Sequence, residues 1–254
     1  MSGPVERLEG VIRDSDTPER SLVVVNRTEA DAVQGLLEGA FADQPVAVAE
    51  DRVPDGEENL VVLVRDGEVV ATSPLSAVMN ACLLVNSDLY RTGPSGIDRN
   101  RAPAVITRLD ETVFDLRGYP ASNSEKLLLV VVSRFIEGLA LETGAGRLRS
   151  SFQRLSRIDR ELGTRAVYDR LDDSGVAVHV YGADDWEPPA DWELAVHTGD
   201  HEGYRRSWCV VFVPPGGRHA ALIALERAPN EWRGMWTYDP AKVRRTDEII
   251  AGEF

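Results

Sequence analysis

Lysine is nearly missing from this chain. Of 28 basic residues in 254, only Lys126 and Lys242 are lysines, and 42 aspartates and glutamates set the formal charge at −14. So acidic a surface argues against direct nucleic-acid binding, which usually needs a basic face. It is also the composition of a protein adapted to high salt, where screened carboxylates stay hydrated and the apolar stem of lysine is disfavoured. A GC-rich genome would favour arginine over lysine too, but would not produce the net charge.

Cysteine is equally scarce. Cys82 and Cys209 are too few for a disulfide framework. Neither has a histidine or cysteine at ligand spacing, so both read as buried thiols. No apolar run approaches the ~18 residues of a membrane span. The first residues, Met1 to Glu6, lack a basic stretch followed by an apolar one, so the expectation is a cytoplasmic protein without membrane attachment. Hydrophobic residues at 43% suffice for a real core, in one large domain or two small ones.

Several catalytic motifs are absent as well. There is no G-x-x-x-x-G-K-[ST] and no G-x-S-x-G. Gly144-Ala145-Gly146 opens a G-x-G, but Arg149 occupies the third glycine position and the preceding element reads as a helix, so the dinucleotide context fails. Asn26-Arg27-Thr28 matches a glycosylation triplet but follows a buried-looking strand, and Thr28 reads as a helix cap. His197, Asp200 and His201 could be imagined around a metal, but Gly199 and the flanking charges read as a solvated loop. Which cofactor, if any, the chain uses is unknown from these residues.

What is present is an alternation of strands and helices early and a cluster of strands late. A helical face runs through Val5, Leu8 and Ile12. Residues 21–25 and 46–49 read as strands around a helix bearing Val33, Leu36, Leu37 and Phe41. Asp66-Gly67 marks a type I′ hairpin between strands at 60–64 and 69–72. Pro74 opens a helix to Leu84. Residues 89–101, centred on Gly93-Pro94-Ser95-Gly96, read as a loop. Short elements near 104–109 and 112–116 precede a long helix over 122–142, ended by Gly144 and Gly146. Residues 152–158 show no clear period. A helix over 160–171 follows, then strands at 176–181, 192–197, 207–213, 220–226 and 232–238, and a terminal helix after Asp239-Pro240. The expected fold is α/β, a mixed β-sheet flanked by helices with a strand-rich C-terminal third. The expected organisation is an N-terminal α/β subdomain (1–88) and a C-terminal α/β region (102–254) forming one unit.

All five tryptophans, Trp186, Trp192, Trp208, Trp232 and Trp236, fall in the last third. Alternation places Trp232, Gly234, Trp236 and Tyr238 on one strand face, and Ala177, His179 and Tyr181 on another. A glycine between two tryptophans leaves room for a ligand or a neighbouring backbone. The cluster therefore reads as packed core, lined pocket or contact surface.

In order, the blocks Phe152-Gln153-Arg154-Leu155-Ser156, Val167-Tyr168-Asp169-Arg170-Leu171, Val178-His179-Val180-Tyr181-Gly182, Asp185-Trp186, Trp208-Cys209-Val210-Val211-Phe212, Ala221-Leu222-Ile223-Ala224 with Glu226, and Gly234-Met235-Trp236-Thr237-Tyr238-Asp239-Pro240 resemble DICT sensory domains, closest to stand-alone versions from salt-loving archaea. The segment Ser133-Arg134-Phe135-Ile136-Glu137, the N-terminal strand and Asn26 extend the likeness from about Val5 to about Val243. The resemblance implies an α/β fold and a non-enzymatic sensory role. Nothing in the chain looks like a kinase, a cyclase or a helix-turn-helix, so output would pass through a partner protein or through homo-oligomerisation.

The sensor reading places ligand contacts at Gln153, Arg154, His179, Tyr181, Trp186, Trp236 and Tyr238, with His179 titrating near neutrality as a switch. A second reading is a hydrolase-like enzyme using His179 with Glu226 or Asp239 as the orienting carboxylate. A third is a protein-interaction module presenting the late strands.

Overall fold

The computed structural model describes residues 3–15, 19–41, 44–84, 102–117, 126–160 and 162–254. The loop expected over 89–101 lies outside them.

Two sheets organise the described residues. The smaller has the order β2-β1-β3-β4, built from β1 (Arg20–Val25), β2 (Ala47–Asp51), β3 (Leu60–Arg65) and β4 (Glu68–Pro74). Strand β1 runs parallel to β2 and antiparallel to β3. The β3–β4 hairpin turns through Asp66 (φ 52°) and Gly67 (φ 84°), the paired positive φ values of a type I′ turn. Helices α2 (Asp31–Phe41) and α3 (Leu75–Leu84) pack with this sheet. Pro74 ends β4 and does not open α3. Thr28 does not cap α2; its hydroxyl accepts from Asn59 Nδ2 at 2.7 Å instead.

The larger sheet contains β5 (Phe114–Arg117), β6 (Gly146–Arg154), β7 (Val176–Ala183), β8 (Ala195–Thr198), β9 (Ser207–Val213), β10 (Ala220–Ala228) and β11 (Glu231–Thr237). Their order is β5-β11-β10-β9-β6-β7-β8. The pairs β6–β7 and β7–β8 are parallel and the others antiparallel. Mixed sheets with flanking helices and a strand-rich C-terminal region agree with the expected fold class.

Helices cover both faces of this sheet. One face carries Leu148, Val178, Val180, Val210, Phe212, Leu222 and Trp236. It is covered by α5 (Lys126–Thr143) and α7 (Leu162–Asp172), with α4 (Ala104–Thr107) bridging to the small sheet. Its apolar cluster runs unbroken into Leu22, Val24 and Leu63 of the small sheet. The opposite face carries Tyr181, Cys209, Val211, Ile223 and Met235. There α1 (Pro4–Arg13), α8 (Glu202–Arg206) and α9 (Pro240–Glu253) pack. Helix α1 thus lies against the C-terminal helix and contributes Leu8, Val11 and Ile12 to that second cluster. A short helix, α6 (Arg157–Arg160), links β6 to α7.

Local chemistry fixes the joints. Asp239 accepts from Ala241 N at 2.8 Å and caps α9, with Pro240 in its first turn. Gly144 (φ 62°) ends α5 in the left-handed conformation. At Gly146 (φ 104°), a Cβ would fall 2.6 Å from the Val213 carbonyl oxygen, so only glycine lets β6 start beside β9. The G-x-G pair is a helix stop followed by a strand entry. Gly234 answers a similar need, since a Cβ there would meet Ala224 Cβ and Ile223 O at 3.0 Å. The space between the two tryptophans is filled by strand β10.

The largest departure from the sequence reading is β6. Residues 146–151 carried no strand expectation, yet β6 is an interior strand of the large sheet. Its Arg-Leu-Arg-Ser-Ser core defeats a hydrophobic-run criterion because buried positions are taken by polar residues, with Arg149 and Ser151 paired inside the protein. Arg149 is 8% exposed and Asp247, from α9, is 5% exposed. Arg149 Nε donates to Asp247 Oδ1 at 2.8 Å, and Arg147 donates to both carboxylate oxygens at 3.1 and 2.5 Å. Replacing Asp247 with alanine strands the Arg149 guanidinium in the interior. The variant is expected to lose about 3–5 kcal/mol of stability, read as a shift of the urea midpoint with an unchanged slope.

Candidate functional site

Helix α5 is apolar nearly all round in its first turns, with Leu128, Leu129, Val131 and Val132 buried. Polar residues within it are therefore enclosed. Ser133 and Glu137, one turn apart, face the sheet and are 5% and 2% exposed. Beneath them, Ser150 and Phe152 of β6 alternate toward α5, as do Trp208 and Val210 of β9. These side chains, together with Arg134, Arg157 and Thr164, line a cavity of about 50 Å³.

A hydrogen-bond network holds the lining. Arg134 Nη1 donates to Glu137 at 2.6 Å, and Arg134 Nη2 donates to Thr164 Oγ1 of α7 at 2.5 Å. Tyr168 Oη donates to Glu137 Oε1 at 3.3 Å. Burial, with the Glu137 charge next, raises the Tyr168 phenol well above its usual value, so it remains a neutral donor. Trp208 Nε1 donates to Ser133 Oγ at 3.2 Å. Ser150 Oγ is buried beside the Tyr168 oxygen without a hydrogen bond of normal geometry. Phe152 meets Tyr168 edge-on at 5.3 Å, and Trp208 meets Trp232 edge-on at 6.1 Å. The space thus has aromatic and aliphatic walls and a polar end. A water needs roughly 10–15 Å³ of such volume, so it holds a few waters or one small polar group.

Residues 104–227 match the family model described as "Sensory domain in DIguanylate Cyclases and Two-component system", DICT. This segment is a DICT domain. The cavity lies wholly within it. The match is narrower than the likeness drawn from Val5 to Val243, leaving the small sheet, β11 and α9 outside the DICT segment. No curated protein matches the chain. Among solved structures, a crystal structure of polyphosphate kinase from Porphyromonas gingivalis is similar at 13% identity with a TM-score of 0.33. The alignment covers 97% of this chain and 47% of that one; a likeness this low carries no argument. No helix among the described residues is long and apolar enough to cross a membrane.

The seven residues expected to contact ligand do not converge. His179 and Tyr181 lie on the α9 face of the sheet. Trp236 lies on the α5 face, 1% exposed and stacked on Phe114 at 5.1 Å. Trp236 Nε1 and Tyr238 Oη both donate to the Thr107 carbonyl, at 3.3 and 2.6 Å, and so anchor α4. Both lie beyond the DICT segment. Gln153 (φ 60°) occupies a bulge of β6 and donates to Arg205 O and Glu226 Oε2 at 2.7 and 3.2 Å. Arg154 is largely exposed, 3.8 Å from Asp185. Trp186 donates to Asp159 and meets Trp192 edge-on. Of the cavity residues, Ser133, Glu137, Ser150 and Trp208 were missed as site residues. The available signal was the run of polar side chains inside an otherwise apolar helix.

The enzyme constellation is not assembled. His179 Nδ1 lies 3.0 Å from His197 Nε2, Glu226 accepts from Gln153 and from Asn230 N, and Asp239 caps α9. No group of three His, Cys, Asp or Glu side chains among the described residues is placed to hold a metal. Burial raises the Cys209 thiol to about 12, which leaves it an inert core group.

The α9 face holds a second polar cluster. Arg149 donates to the Tyr181 hydroxyl, and the Tyr181 ring stacks on His197 at 4.4 Å. Burial, followed by Arg149, His197 and Arg147, lowers His179 from 6.5 to about 4. His197 shifts the same way, by burial and Arg149. His179 is therefore neutral at physiological pH and is no neutral-pH switch. Because folding depresses this pKa, its stabilisation is complete above 6.5 and lost as pH falls toward about 4. Denaturant midpoints measured across that window are expected to fall less steeply in His179→Gln than in the parent chain.

Proposed function

We propose that this chain is a non-enzymatic sensory protein whose DICT domain takes up a small polar molecule in the cavity beneath α5. The observation that carries the reading is a set of hydroxyl, indole and carboxylate groups enclosed in the apolar core of a sensory domain. A buried polar group costs free energy unless it finds a partner, and a ligand with one polar end and an apolar flank would supply partners to Ser133 and Ser150. Anything larger than a few waters must lift α5 from the sheet. Occupancy would then be read as a shift of α5 between two positions, the differential binding a sensor needs.

Output would pass to a partner signalling protein or through self-association, with the 1–88 and 102–254 regions acting as one unit. The interaction-module reading is less well supported. Among the described residues the exposed large hydrophobic side chains are Val53 and Val69, both far in sequence from the tryptophan-bearing strands, so the late aromatics offer no bare patch.

A thermal-shift screen in concentrated potassium chloride, against nucleotides, chromophores and metabolites, tests the reading. A ligand at ~100 times its dissociation constant adds about 2.7 kcal/mol. Ser150→Val, which fills the cavity without opening the core, should keep the parent's melting temperature within a few degrees and abolish the ligand-induced shift. A screen flat for the parent chain, or an undiminished shift in Ser150→Val, would overturn the assignment.

A further inference from the structure

A second unusual site lies outside the DICT segment, where the small sheet meets the turn at 108–111. Arg20 opens β1 on the same face as Leu22 and Val24, so it points inward with them. It is 3% exposed, and its Nε, Nη1 and Nη2 are all buried without a hydrogen-bond partner. Its cross-strand neighbour is Arg65. Arg65 Nη2 donates to the Arg108 carbonyl at 2.8 Å and to Asp110 at 3.1 Å, while its Nε is buried and unpartnered. Two guanidinium groups thus share one seam, with four nitrogens lacking an acceptor.

Asp110, Glu111 and Asp66 attract Arg20 at a distance, but none accepts a hydrogen bond from it. Asp110 is engaged by Arg65. Glu111 accepts from Lys242 and from the Thr237 hydroxyl. Asp66 sits in the hairpin turn. Burial, followed by repulsion from Arg65, lowers Arg20 only to about 10, so it stays charged at neutral pH. A buried guanidinium beside a second, partly exposed one, with free donors on both, is costly alone and suited to an anion with two or more acceptor oxygens.

We propose that Arg20 and Arg65 form a binding site for a small oxyanion, the phosphate or carboxylate group of a metabolite, at the seam between the two sheets. Arg20 supplies donors from below and Arg65 Nε donates from the adjoining strand. The Arg65–Asp110 pair, with side chains 30% and 17% exposed, is where the seam meets solvent and where the anion enters. The 108–111 turn also ties to the large sheet through Glu111 N and the Trp236 carbonyl at 2.8 Å. The anion would therefore brace the small sheet against the large one.

The test is thermal unfolding of the full chain in potassium chloride at fixed ionic strength, with inorganic phosphate titrated in one arm and acetate in the other. Phosphate or acetate should raise the melting temperature saturably, and the arm with the lower half-saturating concentration identifies the source. Arg20→Met should melt higher than the parent without added anion, since it removes a buried guanidinium whose donors have no acceptor. It should also weaken the anion response by roughly thirty-fold or more. Arg65→Gln should weaken it as well, and serves if Arg20→Met does not fold. The proposal fails if neither anion stabilises the parent beyond chloride, or if the variants that fold keep the full response.

Discussion

The large sheet depends on an ion-paired contact made across layers. Strand β6 lies between β9 and β7 and carries two arginines toward α9, where Asp247 receives both. A guanidinium as enclosed as Arg149 is tolerable only with a well-placed carboxylate and further acceptors, and the Tyr181 oxygen completes its set. Asp247 therefore docks α9 onto the sheet as well as pairing with both arginines. Helix α1 is carried with it, since Leu8 and Val11 pack in the same cluster as Val243 and Ile250. The DICT segment owns the arginine and the flanking chain owns the aspartate. The sensory segment consequently shares its interior with residues on both sides of it.

Much of the fold was legible because its strands alternate and its turns carry strong local chemistry. Asp66-Gly67, Gly144 and Asp239-Pro240 act where the sequence places them. Strand β6 was not legible for a physical reason: hydrophobic periodicity reports burial by apolar side chains, whereas β6 buries two serines and an arginine whose partner, Asp247, is distant in sequence. The same blindness hid the cavity. Ser133, Glu137 and Ser150 look like ordinary polar positions until α5 is known to lie flat on the sheet. The aromatic residues drew attention because tryptophan is rare and large, yet Trp236 is engaged in packing and in holding α4, and the glycine beside it accommodates a neighbouring strand.

The two faces of the sheet divide the polar chemistry. On the α9 side, the arginines, Tyr181 and the two histidines form a continuous set in which Asp247 pairs with both arginines, and burial, followed by the nearby arginines, lowers the pKa of both imidazoles. On the α5 side, Glu137 and Arg134 neutralise each other while hydroxyls and an indole border open space. A set already satisfied has little to gain from a ligand. His179 also lines a more open cavity of about 270 Å³, but the α5 cavity is bordered by buried polar groups, with Ser150 Oγ lacking a partner, and this difference directs the sensory reading to the α5 face.

The comparison between Arg149 and Arg20 extends that reasoning beyond the sheet. Both are inward-facing strand arginines exposed by less than a tenth. Arg149 meets a carboxylate and a phenol; Arg20 meets another arginine. In a chain with 42 carboxylate residues to 28 basic ones, acceptors are abundant, so an Arg20 side chain that hydrogen-bonds none of them is not explained by shortage. Placing two cations side by side in an acidic protein raises the local potential where the rest of the surface lowers it. Concentrated salt screens the surrounding negative charge within a few ångströms while screening an enclosed site much less. The conditions suggested by the composition are therefore those in which a small anion would reach this seam with the least repulsion from the surface and the least loss of attraction inside.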